Sequence, residues 1–141
     1  MAPRLDPISI EVQWNRLISI MDEVDIAVIR TSFSTIVGES RDFAVIMLDR
    51  EGRSVAQSQL SSPAFTVTMP ATTKHLLQAF PAESLRPGDV LVTNDPWLGS
   101  GHLPDFSIIT PVFHKGTLVA FMGCVAHLAD IGGRLDYFDA R

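Results

Sequence analysis

Residues 94–127 read NDPWLGSGHLPDFSIITPVFHKGTLVAFMGCVAH, and this stretch decides the fold. Two apolar runs, 106–113 and 117–126, are predicted strands, and His114-Lys-Gly116 between them has the composition of a tight turn. They form an antiparallel hairpin. The loop that leads into it, Asn94–Asp105, holds Gly, Pro and titratable side chains, a setting in which functional sites are often built.

The pairing of this hairpin decides which side chains meet. If the turn centres on Lys115, Asp105 faces Val125, and His127 becomes its diagonal neighbour on the same face, about 7–8 Å away between α-carbons. A two-residue turn at 115–116 would instead shift the pairing by one residue and place His127 on the other face. The sequence leaves both registers open.

Four residues form a candidate metal site if the first register holds. His102 and Asp105 lie at one end of the hairpin, His127 lies across from them, and Asp42, just before another predicted strand, is a possible fourth group. Two imidazoles with one or two carboxylates suit Mn, Fe(II) or Zn. Three protein ligands with an open position would let the metal polarise a carbonyl or activate water. On spacing alone, a structural loop is the alternative.

Other polar side chains near this stretch are candidates for a supporting role. Asn94, Asp95 and Asp130 lie close to the ligands in sequence, so they could orient the imidazoles by hydrogen bonds. The two remaining histidines have simpler interpretations. His75 is predicted to be a surface or packing residue of a helix, and His114 a surface residue of the turn.

The N-terminal part of the chain predicts a long helix. Asp6 is a suitable N-cap and Pro7 a suitable first helical residue. Apolar residues then recur every three or four positions to about residue 30: Ile10, Trp14, Leu17, Met21, Val24 and Val28. Further isoleucines and valines lie outside this stripe, so the helix is expected to pack against more than one partner.

The middle of the chain is predicted to add short elements around this helix and hairpin. In order they are a loop at 31–40, a hairpin of strands 43–48 and 53–57, an irregular segment at 57–69, a helix at 70–80 opened by Pro70, and a strand at 90–93. The fold class is therefore α+β, with a long N-terminal helix packed on antiparallel β-hairpins and no internal domain boundary.

Composition narrows the class of protein. The chain has 141 residues, 46% of them hydrophobic, and a formal charge of −5, with no cluster of Lys or Arg that would suit nucleic acid. The single cysteine, Cys124, fits a reducing compartment, and no apolar run suits a signal peptide or a membrane span. A cytoplasmic protein is expected. No dinucleotide fingerprint or P-loop is present, so any ATP site is expected on another chain.

Several short motifs follow one another along the chain. They are Asp6-Pro-Ile-Ser-Ile-Glu-Val12, Ser40-Arg-Asp-Phe43, Leu85-Arg-Pro-Gly-Asp89, Asn94-Asp-Pro-Trp97 with His102-Leu-Pro-Asp105, and Ala126-His127 with Asp130-Ile-Gly-Gly133. Together they resemble the hydantoinase B/oxoprolinase family, whose motifs match in order and spacing over nearly the whole chain, to about residue 133.

The resemblance implies a function shared between two kinds of subunit. A hydantoinase A-type ATPase subunit phosphorylates a cyclic amide or a ketone-derived oxygen, and the B-type subunit carries out metal-assisted hydrolysis or carboxylation. It also implies Mn or Zn held by His102, Asp105 and His127, with Asp42 as a further ligand or a catalytic carboxylate. The expected protein is a hetero-oligomeric, ATP-dependent cyclic-amide hydrolase of the hydantoinase or 5-oxoprolinase type.

The chain also departs from the family pattern. Trp97 stands where Tyr is usual, Ser100-Gly101 where Gly-Thr is usual, and Leu128 where a second consecutive His is common. Family B subunits are several hundred residues long, so residues 1–141 are expected to be a truncated N-terminal part of such a domain. Two alternatives remain open: a fragment of a ketone carboxylase large subunit, and a non-catalytic remnant or interaction module.

Overall fold

A computed structural model of the chain describes residues 6–129, which fold as an antiparallel sheet with helices on both faces. The elements in chain order are α1 (Pro7–Thr31), α2 (Thr35–Gly38), β1 (Phe43–Asp49), β2 (Ser54–Gln57), α3 (Pro63–Ala79), a 3₁₀ turn (Ala82–Ser84), β3 (Leu91–Thr93), β4 (Asp105–His114) and β5 (Thr117–His127). The five strands of these residues lie in the order β2-β1-β5-β4-β3, and every pair is antiparallel. The predicted α+β class is confirmed.

Helix α1 begins and ends where the sequence predicts. The Asp6 carboxylate accepts hydrogen bonds from the backbone N–H of Ser9, at 3.0 Å, and from its hydroxyl. The hydroxyl bond in particular holds the pKa of Asp6 below its usual value. Within residues 6–129 the helix packs on β1, β2 and α2, while Ile8 and Trp14 near its start remain exposed. None of the helices in this range combines the length and apolar character needed to cross a membrane.

The sheet has an apolar cluster on each face. Beneath α3 the buried side chains are Ala44, Ile46, Leu48, Phe65, Met69, Leu76, Leu85, Leu91, Ile109, Phe121 and Val125. Beneath α1 they are Met21, Val37, Phe43, Val45 and Ala56. Alternate residues of β1 contribute to opposite clusters, as expected for a strand that is buried on both sides.

The predicted start of the second long helix is wrong. The helix begins at Pro63, not at Pro70, so most of the segment expected to be irregular is helical. Phe65 and Met69, both buried against the sheet, lie in this added part. Pro70 is therefore inside the helix, where it has no N–H to donate to the carbonyl of Thr66. Burial of one helix face outweighs the loss of that hydrogen bond.

The segment at 31–40, expected to be mostly loop, contains the short helix α2. The Ser34 hydroxyl accepts a hydrogen bond from the backbone N–H of Val37, which caps the first turn. Val37 is buried in the cluster beneath α1. A capping serine and a single apolar contact are enough to order this turn, although its Ser and Thr content favours a loop.

The β4–β5 hairpin uses a register that neither sequence alternative describes in full. Lys115 and Gly116 form a two-residue turn with φ values of 49° and 78°, the left-handed conformation that such turns require. This turn shifts the pairing by one residue. A bulge then leaves Val119 without a partner on β4 and shifts it by one more, so Asp105 pairs directly with His127. The candidate ligands consequently lie on the same face.

Deleting Val119 should leave the candidate site intact. The deletion removes the extra residue, so Ala120 still pairs with Val112 and His127 still pairs with Asp105. We expect metal affinity within about 3-fold of wild type, because side chains keep their faces when register is kept. Deleting Cys124, inside the regular ladder, is the matched comparison. It should turn His127 to the other face and abolish binding. Equal binding by the two deletion variants would contradict the register.

Candidate metal centre

The candidate site is a row of side chains across three neighbouring strands. Asp42 directly precedes β1, His127 is the last residue of β5, and Asp105 is the first residue of β4. The backbone N–H of His127 donates to the Asp42 carbonyl at 3.0 Å, and Asp105 pairs with His127 on the other side. The sheet itself therefore holds the row together.

Two side chains of this row, those of His127 and Asp105, converge with His102 on one point. The distance from His127 Nδ1 to Asp105 Oδ1 is 3.1 Å, and that from His102 Nδ1 to the same oxygen is 3.7 Å. The two imidazole centres are 5.0 Å apart. His102 is held by a turn in which the backbone N–H of Asp105 donates to the His102 carbonyl at 3.1 Å. The structure thus brings together His102, Asp105 and His127, as the sequence predicts.

Asp105 is the buried centre of the cluster. Its side chain is 4% exposed, whereas those of His127 and His102 are 21% and 52% exposed. The second carboxylate oxygen, Oδ2, accepts a short hydrogen bond from the Ser100 hydroxyl. Sequence reasoning missed Ser100 as a site residue, and its only signal was a hydroxyl in the same Gly-rich loop. The hydroxyl fixes the rotation of the carboxylate, which leaves Oδ1 directed at the two histidines.

The three residues fit a divalent transition metal. Each offers one ligand atom, and these atoms lie within 4.8 Å of one another. Ligands about 2.0–2.2 Å from one Zn²⁺ are separated by roughly 3–3.6 Å at ordinary coordination angles, and the two histidine Nδ1 atoms lie 3.1 and 3.7 Å from Asp105 Oδ1. Two imidazoles and a carboxylate are a donor set for Mn, Fe(II) or Zn. Three such ligands would leave coordination positions for water or substrate.

Asp42 lies beside this cluster, next to one of its members. Its Oδ2 is 3.7 Å from His127 Nδ1, and its side chain is 42% exposed. Asp42 is not one of the residues whose ligand atoms lie within 4.8 Å of one another. Asp42 therefore lies beside the three candidate ligands rather than among them.

Two of the residues expected to orient the imidazoles, Asn94 and Asp95, instead bond to the backbone of their own loop. The Asn94 side-chain amide donates to the Leu103 carbonyl at 3.1 Å, and the Asp95 carboxylate accepts from the backbone N–H of Trp97 at 2.9 Å. Both side chains bond to the backbone of the loop rather than to an imidazole, because the loop must order its own peptide groups first. The third candidate, Asp130, lies outside the described residues.

The other titratable residues expected to be away from the site are away from it. His75 and His114 are exposed. Cys124 is half-buried on the α1 side of β5. Burial and, to a smaller extent, the negative charge of Asp25 raise the pKa of its thiol to about 11. Such a thiol is almost fully protonated at neutral pH and is a poor nucleophile or metal ligand.

An open pocket of about 320 Å³ adjoins the cluster. It is lined by Pro96, Trp97, Gly101, His102 and Leu103. Trp97 and Leu103 are exposed, so they give the pocket an apolar wall beside one proposed metal ligand. A small molecule with a polar group directed at the ligands and an apolar body directed at Trp97 would fit this arrangement.

Comparisons with known proteins identify the family of this chain. Residues 6–136 match the sequence profile of Hydantoinase B/oxoprolinase. The chain is 36% identical over 129 residues to a 5-oxoprolinase of Dictyostelium discoideum and 37% identical over 128 residues to 5-oxoprolinase 1 of Arabidopsis thaliana. These alignments cover 92% and 91% of this chain, respectively, but only 10% of each relative.

A solved structure shares the fold. The ATP-dependent caprolactamase of Pseudomonas jessenii superposes with a TM-score of 0.80 and 29% sequence identity, over 93% of this chain and 22% of that chain. The chain therefore spans about a tenth of the curated 5-oxoprolinases that it matches and about a fifth of the caprolactamase chain. The fold and the motifs are consistent with the profile match over residues 6–136, and the chain belongs to the hydantoinase B/oxoprolinase family.

Proposed function

We propose that this chain is the metal-bearing part of an ATP-dependent cyclic-amide hydrolase of the hydantoinase or 5-oxoprolinase type. The observation that carries the proposal is the convergence of His102, Asp105 and His127 on one point of the sheet. Relatives that are named 5-oxoprolinase and caprolactamase support the hydrolase class. In this proposal the chain is the N-terminal part of a longer hydantoinase B-type domain.

Each side chain of the site has a distinct role in the proposal. A bound Mn or Zn ion would polarise an amide or phosphorylated oxygen, or lower the pKa of water. Asp105, buried and fixed by Ser100, would hold the ion together with His127 and His102, and the half-exposed His102 also borders the pocket through which a substrate arrives. Asp42, exposed beside His127, takes a proton from the attacking water.

The proposed partner is a hydantoinase A-type ATPase subunit. The sequence has no P-loop or dinucleotide fingerprint. ATP is therefore proposed to be used on the A-type subunit, which activates the cyclic amide before hydrolysis. The proposed assembly is a cytoplasmic hetero-oligomer whose substrate pocket is completed outside these 141 residues.

The test is turnover by the assembled enzyme. The chain is co-expressed with an A-type subunit and the remaining B-type polypeptide, and ring opening of 5-oxoproline, hydantoin and caprolactam is measured with ATP and saturating Mn or Zn. We expect ATP-dependent hydrolysis that falls by about 10²–10⁴-fold in Asp42→Asn, because a carboxylate that accepts a proton contributes about that much.

Other outcomes would identify the alternatives. Asp49→Asn is the matched control, since it removes a carboxylate from the far end of β1. Bicarbonate-dependent consumption of a ketone, without hydrolysis, would make the site part of a carboxylase. Co-purification with the A-type subunit but no turnover of any of the three amides would make the chain an interaction module and overturn the proposal.

A further inference from the structure

An unusual backbone conformation lies directly before Asp42. Arg41 has a φ of 53°, in the left-handed region. At the end of a helix this conformation usually belongs to glycine, because a side chain makes it unfavourable. Here it follows helix α2 and is accompanied by a hydrogen bond from the backbone N–H of Asp42 to the Ile36 carbonyl, at 3.2 Å. A long side chain at this position therefore calls for a specific contact.

That contact is with a buried carboxylate on α1. Arg41 Nη1 lies 3.4 Å from Asp25 Oδ1, and the Asp25 side chain is completely buried while that of Arg41 is 43% exposed. Asp25 Oδ2 is also buried and finds no hydrogen-bond partner among residues 6–129. A single long contact to a half-solvated guanidinium repays little of the cost of burying a carboxylate. Asp25 is therefore poorly explained as a stabilising residue.

Arg41 and Asp42 direct their side chains to opposite faces of the sheet. Arg41 reaches Asp25 among the residues beneath α1. Asp42 reaches His127 on the other face. The two residues are consecutive, so anchoring the Arg41 side chain restricts the backbone that presents Asp42 at the start of β1.

We propose that Asp25 and Arg41 are positioning residues that hold the Asp42 carboxylate against His127. The ion pair fastens the entry of β1 to α1, and the left-handed residue turns the chain so that Asp42 faces the metal ligands. Through Asp42 the pair sets the position of a carboxylate that lies 3.7 Å from His127 Nδ1, the nitrogen that also faces Asp105 Oδ1. This inference rests on the proposed metal site.

The test compares metal affinity with stability in Asp25→Asn. Mn²⁺ binding is measured by electron paramagnetic resonance titration and unfolding by urea. We expect about a 10-fold loss of Mn²⁺ affinity, within the 10–100-fold range for residues that orient metal ligands. The urea midpoint should be unchanged or higher, since the substitution removes a buried charge and leaves Arg41 solvated. If Asp25 only stabilised the fold, its substitution would lower the urea midpoint rather than the Mn²⁺ affinity alone.

Three further variants complete the design. Arg41→Gly, which keeps the left-handed backbone without strain, should reproduce the loss of affinity. Adding Asp25→Asn to Asp42→Asn should cause no further loss, because both act through the same carboxylate. Glu23→Gln, on the exposed side of α1, is the charge-matched control and should bind like wild type.

The outcomes separate this inference from the proposed function. If the wild-type protein binds neither Mn²⁺ nor Zn²⁺, the proposed metal site and the proposed positioning role are both wrong. If wild type binds Mn²⁺ and Asp25→Asn binds within 2-fold of Glu23→Gln, only the positioning role is wrong. Additive losses in the Asp25→Asn/Asp42→Asn double variant would also overturn it, even if each single variant binds weakly.

Discussion

Replacing His127 with alanine is expected to abolish metal binding by this protein. His127 lies between the two carboxylates of the site, with Nδ1 3.1 Å from Asp105 and 3.7 Å from Asp42. Loss of a ligand should lower Mn²⁺ or Zn²⁺ affinity by more than about 100-fold, because changes to residues that merely orient ligands already cost about 10–100-fold. Elemental analysis after dialysis and a Mn²⁺ titration measure the effect.

The fold should tolerate this substitution. The backbone N–H of His127 still donates to Asp42, and the β4–β5 ladder is unchanged. His114→Ala, in the exposed turn of the same hairpin, is the control and should keep near-stoichiometric metal. Undiminished metal content in a folded His127→Ala protein would show that the three residues form a hydrogen-bonded cluster rather than a metal centre.

The hairpin shows how far sequence reasoning reaches for this site. Local patterns suffice to predict both strands and to name His102, Asp105 and His127 as partners. They do not predict the Val119 bulge, because a bulge depends on how β5 pairs with β4 rather than on a residue type. The two-residue turn alone would have separated His127 from Asp105. The candidate ligands meet because the turn and the bulge each shift the pairing by one residue, which returns His127 to the face of Asp105.

Helix α3 and the Asp25–Arg41 pair show where prediction from sequence ends. Pro70 is a strong local signal for a helix start, but the burial of Phe65 and Met69 on the sheet extends the helix back to Pro63. Asp25 and Arg41 are separated by 16 residues, and only the packing of α1 on the sheet brings them into contact. Tertiary contacts of this kind override local propensity and leave no pattern in the sequence.

Replacing Phe121 with alanine is expected to have the largest effect on stability. Phe121 is completely buried beneath α3, and in the sheet it pairs with Leu48 on β1 and Pro111 on β4. Removing such a side chain costs about 3–5 kcal/mol, while a domain of this size is stable by only about 5–15 kcal/mol. Urea denaturation followed by circular dichroism should show a much lower midpoint. Val119→Ala, exposed on the same strand, should change stability by less than about 0.5 kcal/mol.

The stability of the Phe121→Ala variant can also be used to locate the proposed metal site, because a bound metal stabilises the folded state. A metal that binds only the folded state, at about 100 times its dissociation constant, adds about 2.7 kcal/mol of stability. Saturating Mn²⁺ or Zn²⁺ should therefore restore much of the urea midpoint of Phe121→Ala, but not that of Phe121→Ala/His127→Ala. Both residues lie on the α3 face of β5, so the core that Phe121 supports is also the platform that presents His127. Equal rescue of the two variants would mean that the metal binds elsewhere, whereas selective rescue would assign it to His127 without any measurement of turnover.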